Sequence, residues 1–203
     1  MTHSTDVPSP IDFLLPEHAQ QWEQNAMARP HRLEVFDLIR QTMEQENILH
    51  ALELGSGPGF LAEHLCQRIP GLALELFDFS PAMHELARRR CEKFLDRISF
   101  VAGNFKHEDW TAALGSYRCI LCNQTVHELR HKRHALRFHR EVKSLLKPNG
   151  IYLMCDHVHG KHGMQNEELY MHHEEQIQTL QEAGFSTKVL LHKGSLQLIK
   201  AIN

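Results

Sequence analysis

The stretch ALELGSGPGFLAEHL, residues 51–65, decides the fold. Its apolar start continues the preceding ILH and predicts a buried strand, which the glycines stop. From Phe60 onward, Leu61 and Leu65 lie on one apolar helical stripe. A strand, a glycine loop and a helix in this order expose backbone N–H groups where a ligand can approach closely. We therefore expect a nucleotide-like ligand at this loop.

The spacing of Gly55, Gly57 and Gly59 separates the ligand classes. A phosphate-binding loop needs Gly-x-x-x-x-Gly-Lys-Ser/Thr, and a dinucleotide fingerprint reads Gly-x-Gly-x-x-Gly. This loop is Gly-x-Gly-x-Gly, with Glu53 just before it. The next predicted strand ends at Asp78, a place where doubly wound folds use a carboxylate to accept both ribose hydroxyls. The loop and Asp78 together predict an adenosine-binding site.

Outward from this unit, short apolar runs alternate with helical periodicity. This alternation predicts an α/β fold, a Rossmann-like doubly wound sheet of seven mostly parallel strands with a C-terminal antiparallel hairpin. The hairpin turns at Lys193-Gly194. We expect one structural domain, in which residues 1–47 form N-terminal lid or flanking helices and residues 48–203 form the ligand-binding domain.

Composition excludes several classes of protein. The 203 residues carry 25 acidic and 22 basic side chains, so no global field attracts DNA or anionic lipid. The polar, proline-bearing N-terminus does not resemble a secretory signal, and no apolar run is long enough to span a membrane. We expect a cytoplasmic protein with five reduced cysteines and no membrane partner. The pair in CILC, Cys119 and Cys122, is predicted to point to opposite faces of a strand.

Five segments, in order and spacing, resemble the motifs of class I S-adenosylmethionine-dependent methyltransferases of the small-molecule type, with a methyltransferase domain of the 11/25 kind. They are ALELGSGPGFLAEHL, LFDFSPAMHELARRR, ISFVAGNF, YRCILCNQTVHEL and SLLKPNGIYL, and the match covers about residues 48–152. The resemblance implies S-adenosylmethionine as the cofactor. The residues it assigns to cofactor binding are Glu53, Gly55, Gly57, Gly59, Asp78, Phe79, Met83, Asn104, Phe105, Asn123 and Gln124.

By this resemblance, Glu53 and the glycine loop hold the methionine part, and Asp78 binds the ribose. Phe79, Met83 and the Asn104-Phe105 pair contact the adenine, and Asn123-Gln124 approach the sulfonium. The chain departs from the family at Asn104, where an aspartate is common, and at Arg118, where an aspartate often begins strand four. An amide oxygen at Asn104 can still accept a hydrogen bond from the adenine amino group.

The 17 histidines are the compositional anomaly. His127 follows strand four and His157 follows strand five, so both are expected at the edge where ligands of open α/β sheets bind. Either imidazole is a candidate general base for an acceptor that must lose a proton. The alternative for His127 is a structural role, anchoring the turn in VHEL.

The remaining histidines leave several functions open. Those in the segment 157–173 could bind a metal, grip an anion or stack on a planar ring. No recognisable ligand set accompanies them, so we expect no metal site. In RHKRHALRFHR, the arginine stripe and the histidines after His127 are expected to face water, with RNA phosphates as the alternative.

The predicted function is therefore methyl transfer from S-adenosylmethionine to N, O or S of a small-molecule acceptor. Two alternatives remain at this point. One is a protein that keeps the pocket for binding or sensing a metal or ligand without transfer, and the other is an RNA or protein methyltransferase. The acceptor and the oligomeric state are left open by the sequence, and no nucleic-acid partner is expected.

Overall fold

The computed structural model describes residues 5–203, and its centre is a seven-stranded sheet in the order β3-β2-β1-β4-β5-β7-β6. The strands are β1 His50–Leu54, β2 Ala73–Asp78, β3 Ile98–Ala102, β4 Tyr117–Asn123, β5 Leu146–His157, β6 Ser186–Lys193 and β7 Leu196–Ile202. The helices are α1 Pro16–Ala26, α2 Arg32–Gln45, α3 Phe60–Arg68, α4 Pro81–Arg90, α5 Ala135–Ser144 and α6 His173–Glu182. The first five strands are parallel, and β7 is antiparallel to both β5 and β6. The predicted fold class is confirmed.

Both faces of the sheet are covered, which explains why most side chains of the central strands are apolar. One core contains side chains of α2 and α3 together with Cys119. The opposite core contains side chains of α5 and α6 together with Cys122. The two cysteines of CILC therefore point to opposite faces, as predicted, and all five cysteines are buried free thiols.

The glycine loop and the next turn position the helices that start at the ligand edge. Gly59, at φ 78°, precedes α3, and a Cβ there would lie 3.1 Å from the Ala87 Cβ of α4. Ser80 caps α4 by accepting a hydrogen bond from the Met83 N–H at 3.1 Å, with Pro81 in the first turn. Both helix starts are thus fixed by local sequence at the ends of β1 and β2.

The segment LKPNG, residues 146–150, forms the irregular start of β5. Tyr117 pairs with Leu146 and Cys119 with Ile151, so the register shifts between these two pairs. Asn149 adopts φ 58° inside the irregularity. Two steps along β4 thus correspond to five along β5, so three extra residues of β5 bulge from the ladder while the strand continues.

Two side chains predicted to face water are buried instead. Arg130 adopts φ 67° and precedes α5, so the helical stripe does not extend to it, and only 6% of its surface is exposed. His139 lies one turn after Ala135, on the buried face of α5, between the rings of Phe138 and Tyr152. Burial lowers the pKa of His139 to about 3, so this histidine is a neutral core residue.

The segment before α1 contacts the turns that follow β2 and β4 at the carboxyl edge of the sheet. Arg130 donates hydrogen bonds to the carbonyls of Val7 and Pro8, at 3.0 and 2.7 Å. The Ser80 hydroxyl donates to the carbonyl of Phe13. Within residues 5–203, no helix is long and apolar enough to cross a membrane.

Candidate active site

A cavity of about 650 Å³ lies at the carboxyl ends of β1, β2, β4 and β5, beneath the N-terminal segment. Its volume falls in the roughly 300–1,000 Å³ range of small-molecule sites. The predicted residues that line it are Glu53, Gly55, Gly57, Asp78, Phe79, Met83, Phe105, Asn123, Gln124, His127 and His157. Two predicted residues do not line it. Gly59 packs α3 against α4, and Asn104 accepts a hydrogen bond from the Lys106 N–H at 3.0 Å.

The glycine loop is shaped by its neighbours as well as by its own conformation. Gly55, at φ 66°, has no room for a side chain, because a Cβ there would lie 2.4 Å from the Thr125 Cγ2. The N–H of Gly55 donates to the carbonyl of Phe77 at 2.8 Å. This bond ties the loop to β2, and the glycine backbone forms one wall of the cavity.

Asp78 is a buried carboxylate that joins the loop to the start of α4. Its Oδ2 accepts from the Gly57 N–H at 2.8 Å, and its Oδ1 accepts from the Ser80 N–H at 2.9 Å. Burial raises the pKa of Asp78 to about 6, although both hydrogen bonds favour the charged form. Each oxygen retains acceptor capacity at the cavity wall, which fits a pair of ribose hydroxyls.

Glu53 is 3% exposed, and its Oε2 has no hydrogen-bond partner within the described residues. Burial and the nearby Asp78 raise the pKa of Glu53 to about 8. A buried acceptor without a partner is costly, and a cationic donor in the cavity would satisfy it. The amino group of a bound amino acid has that chemistry, so the donor set fits the methionine part of S-adenosylmethionine.

The apolar part of the cavity surrounds the position expected for the adenine. Phe79 and Met83 follow Asp78, and Phe105 follows β3. Gly103, which follows β3, packs directly against the ring of Phe77. Any larger residue would clash, because a Cβ at Gly103 would lie 2.4 Å from Phe77 Cε2. A flat aromatic group can therefore stack between apolar side chains here.

His127 is held at the other end of the cavity by Asp156, near the end of β5. The His127 Nδ1 lies 2.6 Å from Asp156 Oδ1, and the His127 N–H donates to Asp156 Oδ2 at 2.9 Å. Burial alone would lower the pKa of His127, but Asp156 and Glu128 outweigh it and raise this pKa to about 10. The ring is therefore an imidazolium paired with a buried carboxylate at neutral pH.

His157 has the opposite ionisation. Its Nδ1 lies 3.1 Å from the Ser195 Oγ, and burial lowers its pKa to about 4. Only its backbone N–H contacts the Asp156 carboxylate, at 2.6 Å. The side chain of Asp156 therefore binds the ring of His127 and not the ring of His157. The ring centroids of the two histidines are 5.6 Å apart, and Tyr170 packs against both.

The histidine-rich segment after β5 shows pairs rather than a cluster of ligands. His159 Nδ1 lies 3.2 Å from His172 Nε2, and His173 stacks on His192 with centroids 4.3 Å apart. His162 lines the cavity. Across residues 5–203, no group of three or more metal-ligating side chains comes together.

Sequence reasoning missed several cavity residues that come from the segment before β1 and from the turn between β6 and β7. They include Arg29, Arg32 and Ser195. Arg29 and Arg32 flank Trp22, with guanidinium carbons 5.1 and 5.5 Å from the ring centroid. A motif search confined to strand ends cannot find them, although two arginines near a tryptophan before the first strand were a visible signal.

Comparisons with known proteins agree with this geometry. Residues 51–150 match the family model of a methyltransferase domain. A malonyl-[acyl-carrier protein] O-methyltransferase of Priestia megaterium is 30% identical over 112 residues, which are 54% of this chain and 37% of that protein. The chain therefore spans little more than a third of that relative.

Solved structures share the fold. An O-methyltransferase family protein from Burkholderia thailandensis superposes with a TM-score of 0.78 at 16% identity, covering 94% of this chain and 61% of that chain. Human N-acetylserotonin methyltransferase, in complex with S-adenosylmethionine, gives 0.73 at 17% identity, covering 93% and 56%. An Aquifex aeolicus S-adenosylmethionine-dependent methyltransferase gives 0.68 at 20% identity, covering 93% and 98%. Residues 51–150 thus match a methyltransferase domain, and the chain has the fold of S-adenosylmethionine-dependent methyltransferases.

Proposed function

We propose that the chain transfers a methyl group from S-adenosylmethionine to N, O or S of a small-molecule acceptor. One observation carries this proposal. A single cavity joins two buried carboxylates on β1 and β2 to two histidines of opposite ionisation after β4 and at the end of β5. The first pair suits a cofactor, and the second suits an acceptor that loses a proton.

At the cofactor end, Glu53 accepts from the amino group, and the glycine loop lies against the amino-acid chain. Asp78 accepts from the ribose hydroxyls, while Phe79 and Met83 pack on the adenine. Asn123, which ends β4, and Gln124, which follows it, face the reacting centre. Bound there, S-adenosylmethionine would supply a methyl group carried on a sulfonium. The sulfur leaves as a neutral thioether, so no residue has to protonate the leaving group.

Most of the rate comes from holding the acceptor in line with the methyl group, an effect worth roughly 7–11 kcal/mol for well-oriented reactants. The N-terminal segment, including Ile11 and Phe13, forms part of the cavity wall. A cavity of this size suits a small molecule better than a nucleic acid or a folded protein. We assign the described part of residues 1–47 the role of a lid over the 48–203 domain.

Oxygen is the acceptor atom that we propose first. The malonyl-[acyl-carrier protein] O-methyltransferase and the Burkholderia O-methyltransferase family protein are both named for oxygen methylation. An alcohol or phenol must lose its proton as the bond forms, so a neutral imidazole at this end is useful.

We assign the proton acceptor role to His157. Its lowered pKa keeps the ring neutral at pH 7, and the contact of Nδ1 with Ser195 fixes the ring. His127 remains a candidate base, but its pairing with Asp156 keeps it protonated until the pH is alkaline. In this proposal His127 positions the turn after β4 and places a positive charge beside the acceptor.

An acceptor screen tests the proposal. Purified protein is incubated with S-adenosylmethionine and panels of phenols, carboxylic acids, amines and thiols, and S-adenosylhomocysteine is quantified. Acceptor-dependent S-adenosylhomocysteine is expected, and Asp78→Asn is the matched variant that should reduce it. Tight binding of the cofactor without turnover of any acceptor would instead favour a binding or sensing protein.

A further inference from the structure

Tyr170 is a cavity-lining phenol that the proposed roles leave unused. It lies in the histidine-rich segment between β5 and α6, and its ring packs against both histidines of the acceptor end. The centroid of the Tyr170 ring lies 5.4 Å from that of His127 and 6.1 Å from that of His157, and the ring stands at 88° to the His157 ring. The phenol and the two imidazoles therefore form one aromatic wall of the cavity.

The backbone on both sides of Tyr170 fixes the position of this ring. The Tyr170 N–H donates to the carbonyl of Asn166 at 2.9 Å, and the Asn166 Oδ1 accepts from the Leu169 N–H at 3.1 Å. The carbonyl of the next residue, Met171, accepts from the His159 N–H at 2.9 Å. Leu169 and Met171 are themselves buried, so the segment presents Tyr170 from a closed turn.

The Tyr170 hydroxyl is a hydrogen-bond donor that the fold does not use. Within residues 5–203 it has no hydrogen-bond partner, although the side chain is half-buried. Burial, followed by the negative charges of Asp156 and Glu128, raises the pKa of Tyr170 above its ordinary value of 10, so the phenol keeps its proton at neutral pH. Glu128 lines the same cavity. A donor left without a partner there favours a ligand that brings an acceptor oxygen.

His157 supplies the opposite hydrogen-bonding group in the same aromatic wall. In the tautomer whose Nδ1–H donates to the Ser195 Oγ at 3.1 Å, the His157 Nε2 carries a lone pair that can accept a proton. An acceptor molecule that satisfies both side chains therefore needs two oxygens. One is the hydroxyl that gives its proton to His157, and the other accepts a hydrogen bond from Tyr170.

The other side chains of this segment suit a planar, apolar molecule. Met164 and Leu169 also line the cavity. An aromatic ring packs edge-to-face or offset against aromatic side chains, and it loses less conformational freedom on binding than a flexible chain does. The acceptor end therefore favours an aromatic ring over an aliphatic chain.

We propose that Tyr170 determines acceptor specificity by donating a hydrogen bond to a second oxygen of a phenolic acceptor. The substrate class is a planar phenol with an additional oxygen substituent, whose phenolic hydroxyl faces His157. His157 takes the proton, whereas Tyr170 keeps its own proton and selects which acceptors bind. This inference rests on the proposed function, and it names the class of acceptor for the same site.

Paired probes test this hydrogen bond without any turnover. Each of the three methoxyphenol isomers is compared with the ethylphenol of the same substitution pattern, in which a methylene group replaces the ether oxygen. Affinities for protein saturated with S-adenosylhomocysteine are measured by calorimetry. The wild type should bind at least one methoxyphenol more tightly than its ethylphenol match, because only the ether oxygen accepts from Tyr170.

The variants are Tyr170→Phe and the matched control Tyr152→Phe. Tyr170→Phe removes only a hydroxyl that bonds to no described residue, so the variant should fold as the wild type does. Tyr152 lies in β5, is fully buried and does not line the cavity. Tyr170→Phe should weaken the preferred methoxyphenol by roughly 2- to 10-fold, as expected for one neutral hydrogen bond, and should leave its ethylphenol match unchanged. Tyr152→Phe should leave both affinities unchanged.

The inference is wrong if the ratio of methoxyphenol to ethylphenol affinity is the same in the wild type and Tyr170→Phe for all three pairs. It is also wrong if the complex with S-adenosylhomocysteine binds none of these phenols, an outcome that leaves the cofactor part of the proposed function intact. Failure of the wild type to bind S-adenosylhomocysteine would instead contradict the proposed function itself. The same affinity ratios, measured on the free protein, would then still decide the role of Tyr170.

Discussion

The buried pair of Asp156 and His127 provides a sharp test of how the acceptor end is built. The carboxylate accepts from the His127 ring at 2.6 Å, from the His127 N–H at 2.9 Å and from the His157 N–H at 2.6 Å. In Asp156→Asn, the amide has one acceptor oxygen, so its NH₂ group faces at least one N–H donor in either orientation. Breaking a buried ion pair in this way costs about 3–5 kcal/mol.

The pKa values give an independent magnitude and a sign. The folded-state pKa of His127 is about 10 against an ordinary value of 6.5, and each unit corresponds to about 1.4 kcal/mol. The contribution of His127 to the free energy of unfolding is therefore fully present below pH 6.5, and it is lost as the pH rises toward 10. The pKa of Asp156 is lowered in the folded state, so its contribution to stability is lost at acidic pH, as the pH falls through that lowered pKa.

Urea unfolding followed by circular dichroism at several values from pH 6 to pH 10 measures both effects. The wild type should lose stability across this window. Asp156→Asn should be less stable at pH 6 and should lose less stability between pH 8 and pH 10, whereas the loss between pH 6 and pH 8 that comes from Glu53 remains in both proteins. Asp37→Asn is the matched control, because Asp37 pairs with His64 at 3.1 Å but is 48% exposed, so its loss should cost about 1 kcal/mol or less. Equal midpoints and equal pH slopes for the wild type and Asp156→Asn would refute the reasoning.

Three further results are expected. Gly55→Ala should cost about 2–5 kcal/mol of folding stability and should weaken the binding of S-adenosylhomocysteine, because the new Cβ would clash with Thr125. Gly71→Ala, which also has a positive φ but has open space around it, should cost only about 1–2 kcal/mol. Thermal unfolding of the two variants measures the difference. Glu53, with its pKa near 8, should release up to about one proton at pH 7 when an ammonium group binds beside it. Calorimetry in buffers of different ionisation enthalpy measures this release, and Glu53→Gln should abolish it. A release that persists in Glu53→Gln would show that Glu53 is not its source. The rate with a hydroxyl acceptor should fall as the pH drops toward 4, where His157 becomes protonated; a rate that instead climbs toward pH 10 would assign the base to His127.

The cofactor end was predictable because its signals are local. Gly55, Gly57 and Asp78 follow directly after the strands that carry them, and parallel strands bring their carboxyl ends to one edge. Of the residues that the family resemblance assigned to the cofactor, all except Gly59 and Asn104 line one common cavity. Gly59 is the exception in the loop, since the same local signal also serves helix packing.

The acceptor end was less predictable because it depends on distant segments. Arg32 reaches Gln124 across 92 positions of sequence, and Arg130 binds the carbonyl of Val7 across 123. Periodicity also misplaced Arg130, because the chain takes a left-handed turn before α5 begins. Such contacts follow from tertiary packing, which no motif or local period encodes.

The binding of S-adenosylhomocysteine to the purified protein tests the central claim most directly. Calorimetry with the wild type and with Asp78→Asn measures whether the cavity takes this ligand and whether the β2 carboxylate holds its ribose. The account predicts saturable binding by the wild type and a clear loss of affinity in the folded Asp78→Asn variant. Absence of binding by the folded wild type, or equal affinity in the two proteins, would contradict it.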